Sequence, residues 1–128
     1  MRGGGKVTDP TYVGLYRELY PDFSAGKLYP SIKDAISDTA QEHEPEIIAY
    51  LRSAVCLGAR GGYVNDVLDP SYKEGLPAHT YTDGTYMWRL DLAYYVGKYH
   101  LRLPEEFVRH MAARGWRPPT EEEVNSHL

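Results

Sequence analysis

Apolar and aromatic side chains recur at intervals of three and four residues in five parts of the chain, the spacing that lines one face of a helix. The helices predicted in this way cover residues 12–20, 32–40, 47–55, 92–99 and 104–114. Two of them have typical starts, because Asp9 stands before Pro10 and Pro104 stands before two glutamates. We expect each helix to bury its apolar face against the rest of the domain.

Residues 80–88 follow a different pattern, in which β-branched and aromatic residues flank Asp83-Gly84 on both sides. An Asp-Gly pair permits the positive backbone angles of a type I′ turn, so the segment predicts a β-hairpin. An isolated hairpin is marginal in water and needs a third strand or a helix against it. Residues 55–58 and 63–68 are the candidate partners.

These elements predict an α+β fold with a single domain. A small antiparallel sheet, with the Asp-Gly hairpin at its centre, is expected to pack against four to five helices. The length of 128 residues suits one domain. Residues 1–8 are predicted to be a flexible N-terminus, 9–117 the domain, and 118–128 an exposed C-terminal tail.

Composition excludes several classes of protein. Cys56 is the one cysteine, so no internal disulfide or multi-cysteine zinc site can form, and a reducing, cytoplasmic compartment is expected. No stretch has the apolar length of a secretory signal or a membrane span. The formal net charge is −4, which argues against nucleic acid as a partner because phosphate binding needs clustered Lys and Arg.

Three segments could carry chemistry, but each has a plainer interpretation. The glycine-rich residues 58–62 lack the Gly-Lys-Ser/Thr ending of a phosphate loop and favour a tight turn. Residues 42–46 contain possible metal ligands, yet Pro45 disrupts the spacing that would make them converge. Cys56 lies in an apolar run, without a recognisable histidine partner. We therefore expect no catalytic site, metal or cofactor, and predict that the protein is not an enzyme.

The segment from residue 38 to residue 46 is a candidate partner-binding surface. It contains Asp38, Glu42, Glu44 and Glu46 and no lysine or arginine. A local negative patch of this kind can steer a basic partner toward it.

Tyrosine is unusually frequent, with 12 tyrosines against 2 phenylalanines. Its ring packs while its hydroxyl stays wet, which suits the rim of a core or the centre of an interface. On the predicted hairpin, Tyr81, Tyr86 and Trp88 would occupy one face. Two interpretations stay open for that face: packing inside the domain, or aromatic anchors for a partner.

Residues 82–88, 91–96 and 99–107 together resemble a pattern in small stand-alone actinobacterial proteins and in some immunity proteins of bacterial polymorphic-toxin systems. The likeness is best over residues 79–119 and weaker over 43–70. It has the character of a fold signature, a hairpin followed by two helices, and brings no catalytic residues with it. The resemblance implies a cytoplasmic protein that neutralises a toxin by binding it.

Two functions are therefore predicted. The first is a non-enzymatic immunity or antitoxin-like protein that binds a basic toxin, with the acids of residues 38–46 as steering charges and the hairpin aromatics as anchors. The alternative is a small-ligand or regulatory domain with a pocket between the hairpin and the last two helices. There Arg89, Arg102 or Arg60 would hold an anion and Tyr94 would close the pocket.

Overall fold

The computed structural model describes residues 10–21, 24–58 and 62–125. Its strands are β1 (Thr11–Tyr12), β2 (Val55–Gly58), β3 (Tyr63–Val64), β4 (Leu76–Pro77), β5 (Thr80–Thr82) and β6 (Tyr86–Arg89). Its α-helices are α1 (Glu44–Ser53), α2 (Asp91–Tyr99), α3 (Glu105–Ala113) and α4 (Glu121–Asn125), and short 3₁₀ turns lie at Arg17–Leu19, Ser24–Leu28 and Ile32–Asp34. This mixture confirms the predicted α+β class. The predicted flexible stretch, residues 1–8, lies outside the described residues.

The main sheet has four strands in the order β1-β6-β5-β2. β5 pairs antiparallel with both β6 and β2, whereas β1 runs parallel to β6. The predicted partner strand at 55–58 therefore joins the sheet. Residues 63–68 do not join it, because β3 pairs with β4 in a separate two-stranded sheet.

The connection between β5 and β6 is a tight turn around Gly84. The backbone N–H of Asp83 donates to the carbonyl oxygen of Tyr86 at 3.1 Å, so Gly84 and Thr85 are the two central residues. Gly84 has a φ of 92°, and it is the one residue of this loop with a positive φ. A glycine at the first central position is typical of a type II′ turn rather than the expected type I′ turn.

The core lies between the inner face of the sheet and helices α1, α2 and α3. Trp88, Tyr50, Tyr95 and Phe107 are fully buried there. These three helices match the periodic segments predicted at 47–55, 92–99 and 104–114, because each buries the apolar stripe that identified it.

The helix predicted over residues 12–20 is wrong. Thr11 donates its backbone N–H to the carbonyl oxygen of Thr85 and Val13 to that of Met87, at 2.9 Å each, so the chain enters the sheet beside β6. Gly14 follows with a φ of 81°. The apolar spacing is real, because Tyr16 and Leu19 are buried, but loop backbone and one 3₁₀ turn place them there.

The helix predicted over residues 32–40 is also wrong beyond its first turn. Ser31 accepts a hydrogen bond from the N–H of Lys33, as a helix cap does, yet the turn ends at Asp34. The following backbone is bonded elsewhere: Ser37 donates to Tyr99, and Ala35 accepts from Arg102. These long-range bonds replace the bonds of a continued helix.

The predicted exposed tail at 118–128 needs correction over its described residues. Glu121–Asn125 forms helix α4, and Val124 is 2% exposed. Pro119 is buried as well. The three glutamates that suggested an exposed tail lie on the outer face of a docked helical turn.

Candidate functional site

The acidic segment 38–46 is a loop followed by the first turn of α1. Arg102 holds the loop by donating to the carbonyl oxygen of Thr39 at 2.9 Å and to the hydroxyl of Ser37 at 3.2 Å. Gln41 adds a side-chain bond to the carbonyl oxygen of Leu101 at 2.7 Å. The segment is therefore tied to the connection between α2 and α3.

Three of its four acids are exposed. Asp38, Glu42 and Glu46 lie on the surface, and the side chain of Glu42 is 91% exposed. His43 lies between the two glutamates, with its ring nitrogens 3.8 Å from Glu42 and 3.5 Å from Glu46. The ring of His43 stacks on Trp116 at a centroid distance of 4.9 Å. This surface therefore combines carboxylates with an aromatic pair that the sequence pattern did not reveal.

Glu44 does not belong to the exposed surface, which corrects its predicted role as a steering charge. It is buried, and one carboxylate oxygen accepts the backbone N–H of Gln41 at 3.1 Å. The other lies 2.8 Å from Nδ1 of His100. Glu44 thus closes the N-terminus of α1 and ties it to the end of α2, a positioning role.

The hairpin aromatics form the inner face of the sheet, so their predicted role as anchors is wrong for Trp88. Trp88 is 0% exposed, and its Nε1 donates to the carbonyl oxygen of Leu51 at 3.0 Å. Tyr86 packs on Phe107 with ring centroids 4.7 Å apart, and Tyr81 packs half-buried against the core. Of the two interpretations left open, packing describes this face.

A buried carboxylate at Asp66 organises the loop that connects β3 to β4. Its Oδ2 accepts from the hydroxyls of Tyr94 and Tyr99, at 2.7 Å each, and from Lys98 Nζ at 3.3 Å. Burial alone would raise the pKa of Asp66, but these hydrogen bonds outweigh it and lower that pKa. The pKa of Tyr99 rises to about 12, first because of burial and then because its proton is bonded to Asp66.

A second buried carboxylate, Asp83, sits in the β5–β6 turn. Its Oδ2 accepts from the Tyr50 hydroxyl at 2.6 Å and lies 2.9 Å from Nε2 of His110. Its Oδ1 accepts the backbone N–H groups of Thr85 and Tyr86. An Asp-His contact also occurs in catalytic pairs. In this protein the contacts of Asp83 with Tyr50 on α1 and His110 on α3 hold the turn against these two helices.

Two of the arginines and the tyrosine assigned to the ligand-binding alternative are already bonded within the fold. Arg89 is engaged by Asp91 through two hydrogen bonds of 2.8 and 2.7 Å, and it also donates to the carbonyl oxygen of Leu19. Arg102 holds the acidic loop, and Tyr94 is bonded to Asp66. Arg60, the third candidate, lies outside the described residues.

The described surface includes two cavities that bear on ligand binding. One, of about 320 Å³, is lined in part by Arg89, Tyr63 and Val67. The other, of about 210 Å³, lies where residues 11–16 meet the start of α3. Within residues 10–21, 24–58 and 62–125, no three His, Cys, Asp or Glu side chains converge as metal ligands. Cys56 is exposed on edge strand β2.

Comparison with protein-family models, with curated proteins and with solved structures found no significant match to the chain. The resemblance of residues 79–119 to immunity proteins therefore stays a prediction. Those residues run from the start of β5 to the loop beyond α3 and so include one hairpin and two helices. In the described part of the chain, no helix has the length and apolar character needed to cross a membrane.

Proposed function

We propose that this protein is an immunity-like binding protein that neutralises a basic protein toxin through the acidic surface formed by Asp38, Glu42 and Glu46. The observation that carries the proposal is the combination of exposure and restraint in this segment. Its carboxylates face solvent, while Arg102 and Gln41 tie its backbone to the α2–α3 connection.

Restraint matters because binding costs free energy when a loop must be ordered. A segment that is already fixed avoids most of that cost. Exposed carboxylates also act at a distance at low salt, so they accelerate the encounter with a basic partner. His43 stacked on Trp116 supplies a flat apolar contact beside the carboxylates.

The buried charges support the same proposal. Three charged contacts hold parts of the fold together: Arg89 with Asp91, Lys98 with Asp66, and the Asp83 carboxylate with Tyr50. The exposed acids of residues 38–46 stand apart from these pairs. They are a cluster of exposed negative charge beside the aromatic pair of His43 and Trp116.

The test is a co-expression assay. Each protein encoded beside the gene for this chain is produced in a bacterial host, with and without this chain, and growth is measured. The proposal expects one neighbouring product to arrest growth and this chain to restore it. It is contradicted when no neighbouring product is toxic, or when the toxic one is not neutralised.

Matched variants then locate the surface. Asp38→Lys with Glu42→Lys reverses two acids of the proposed surface and should weaken rescue. Glu121→Lys with Glu122→Lys makes the same change of charge on exposed acids of α4 and should leave rescue intact. Equal loss in both double variants would mean that only overall charge matters, which contradicts the assigned surface.

A further inference from the structure

The 210 Å³ cavity has features of a binding site that neither the acidic surface nor the hairpin face explains. It lies between the segment that carries β1 and the first turn of α3. Its walls are mostly aromatic and apolar, and the lining residues that bear on its chemistry are Tyr12, Tyr16, Tyr86, Pro30, Pro104 and Glu106.

Tyr16 is the first sign that a ligand belongs there. The residue is 7% exposed, and its hydroxyl has no hydrogen-bond partner among the residues that the structure describes. Burial raises the pKa of Tyr16, so the hydroxyl is neutral at physiological pH. Buried hydroxyls normally have a partner, because an unpaired one loses its hydration without compensation. A polar group entering the cavity would supply that partner.

Charge decides which kind of group fits. Among the described residues that line the cavity, Glu106 is the one carboxylate, and it is exposed at the start of α3. A free helix N-terminus attracts anions, but here Glu105 and Glu106 in the first turn already supply negative charge. Tyrosine rings beside a carboxylate are instead a suitable environment for a cation.

We propose that this cavity binds a small organic cation, a guanidinium or primary ammonium group on a short carbon chain. The cation pairs with Glu106, its chain lies against the tyrosine rings, and one of its N–H groups donates to the Tyr16 hydroxyl. The site shares no residue with the acidic surface of Asp38, Glu42 and Glu46, and it does not depend on toxin binding.

The test uses the full chain and four probes at low salt: n-butylguanidinium, n-butylammonium, the neutral n-butylurea and the anion butyrate. Binding is followed by calorimetry and by amide chemical shifts. We expect saturable binding of the two cations, with shifts concentrated at residues 12–16 and 104–107. Equal binding of n-butylurea, preferential binding of butyrate, or no saturable binding of either cation would overturn the proposal.

Three variants assign the contacts. Glu106→Gln should weaken n-butylguanidinium binding about tenfold, since it removes a charge-assisted hydrogen bond. Tyr16→Phe should weaken it about threefold without loss of folding, because the ring is kept and only an unpaired hydroxyl is removed. Glu105→Gln is the matched control, since Glu105 lies on the same turn but does not line the cavity. A larger effect at Glu105 than at Glu106 would contradict the assignment.

A final arm separates the two sources of such a cation. The peptide Gly-Arg-Gly presents the same guanidinium from a polypeptide. If it binds more tightly than n-butylguanidinium, the cavity receives an arginine of a partner protein. If it binds more weakly, the ligand is a free small molecule. Either result supports the cation site, and competition between peptide and probe confirms that both use it.

Discussion

Replacing Asp66 with asparagine should destabilise the protein by an amount that can be worked out from its contacts. Its Oδ1 accepts the backbone N–H groups of Leu68 at 2.8 Å and Asp69 at 3.1 Å, and an asparagine oxygen can keep both bonds. Oδ2 accepts from two tyrosine hydroxyls and from Lys98. In Asp66→Asn an amide NH₂ faces these three donors. The two hydroxyls can rotate and accept, but the ammonium group cannot.

The expected loss is about 3 kcal/mol at pH 7, most of it from the hydrogen bonds that the buried Asp66 carboxylate accepts from the two tyrosines. Two charge-assisted bonds become neutral ones, and each such change costs about 1 kcal/mol. Losing the contact with Lys98 accounts for the remainder. The assay is urea denaturation followed by far-UV circular dichroism, comparing midpoints at constant slope.

The loss should also depend on pH in a defined direction. Because the folded protein holds the pKa of Asp66 below the ordinary value of 3.8, its contribution is fully present above that value and disappears as the pH falls through the folded pKa. The wild type and Asp66→Asn should therefore converge in acid. Asp69→Asn, which also faces Lys98 but from an exposed position, is the control and should cost much less. A loss below about 1 kcal/mol at pH 7, or one that persists unchanged in acid, would refute the reasoning.

Three further substitutions and one control substitution test the fold by urea denaturation. Trp88→Ala should lower the free energy of unfolding by about 3–5 kcal/mol, because it empties a fully buried site. A small loss would instead favour the interpretation of the hairpin face as an exposed partner-binding surface. Val124→Ala should cost about 2 kcal/mol, whereas an exposed tail predicts no change. Gly84→Ala should cost about 1–3 kcal/mol because the turn needs a φ of 92°. The control, Gly97→Ala at an exposed position of helix α2, should instead be neutral or gain up to about 1 kcal/mol, and the reverse ranking of the two glycines would contradict the turn.

The α+β class and the three longer helices could be predicted because their signals are local. Helix α3 has proline before its start, two acids in its first turn and an apolar stripe, and Gly115 follows with a φ of 67°. Each signal acts within a few residues and points to the same structure. The pairing of β2 with β5 could also be predicted, because a hairpin needs a third strand and residues 55–58 were a candidate for it.

The segment at residues 12–20 shows why the same method fails elsewhere. Its apolar spacing suits a helix, but the pairing of β1 with β6 takes its backbone donors to residues more than seventy positions away. Local periodicity contains no information on such a contact, and tertiary context overrides helix propensity.

The candidate site shows the same limit. The acids of residues 38–46 were identified by composition alone, and three of them are exposed. Glu44 differs because its partner, His100, lies 56 positions away along the chain. Trp88 was placed on a hairpin face correctly, but which face meets the helices depends on how the sheet packs. Trp116 was missed because no pattern near it points to His43.

The most direct test of the proposed function is the association rate of this protein with its toxin, measured by stopped flow across a range of salt concentrations. We expect Asp38→Lys with Glu42→Lys to slow association about tenfold at low salt and to flatten its salt dependence. The charge-matched variant Glu121→Lys with Glu122→Lys should associate at nearly the wild-type rate. An unchanged rate for the Asp38 and Glu42 double variant at low salt would contradict the claim that this surface receives the partner.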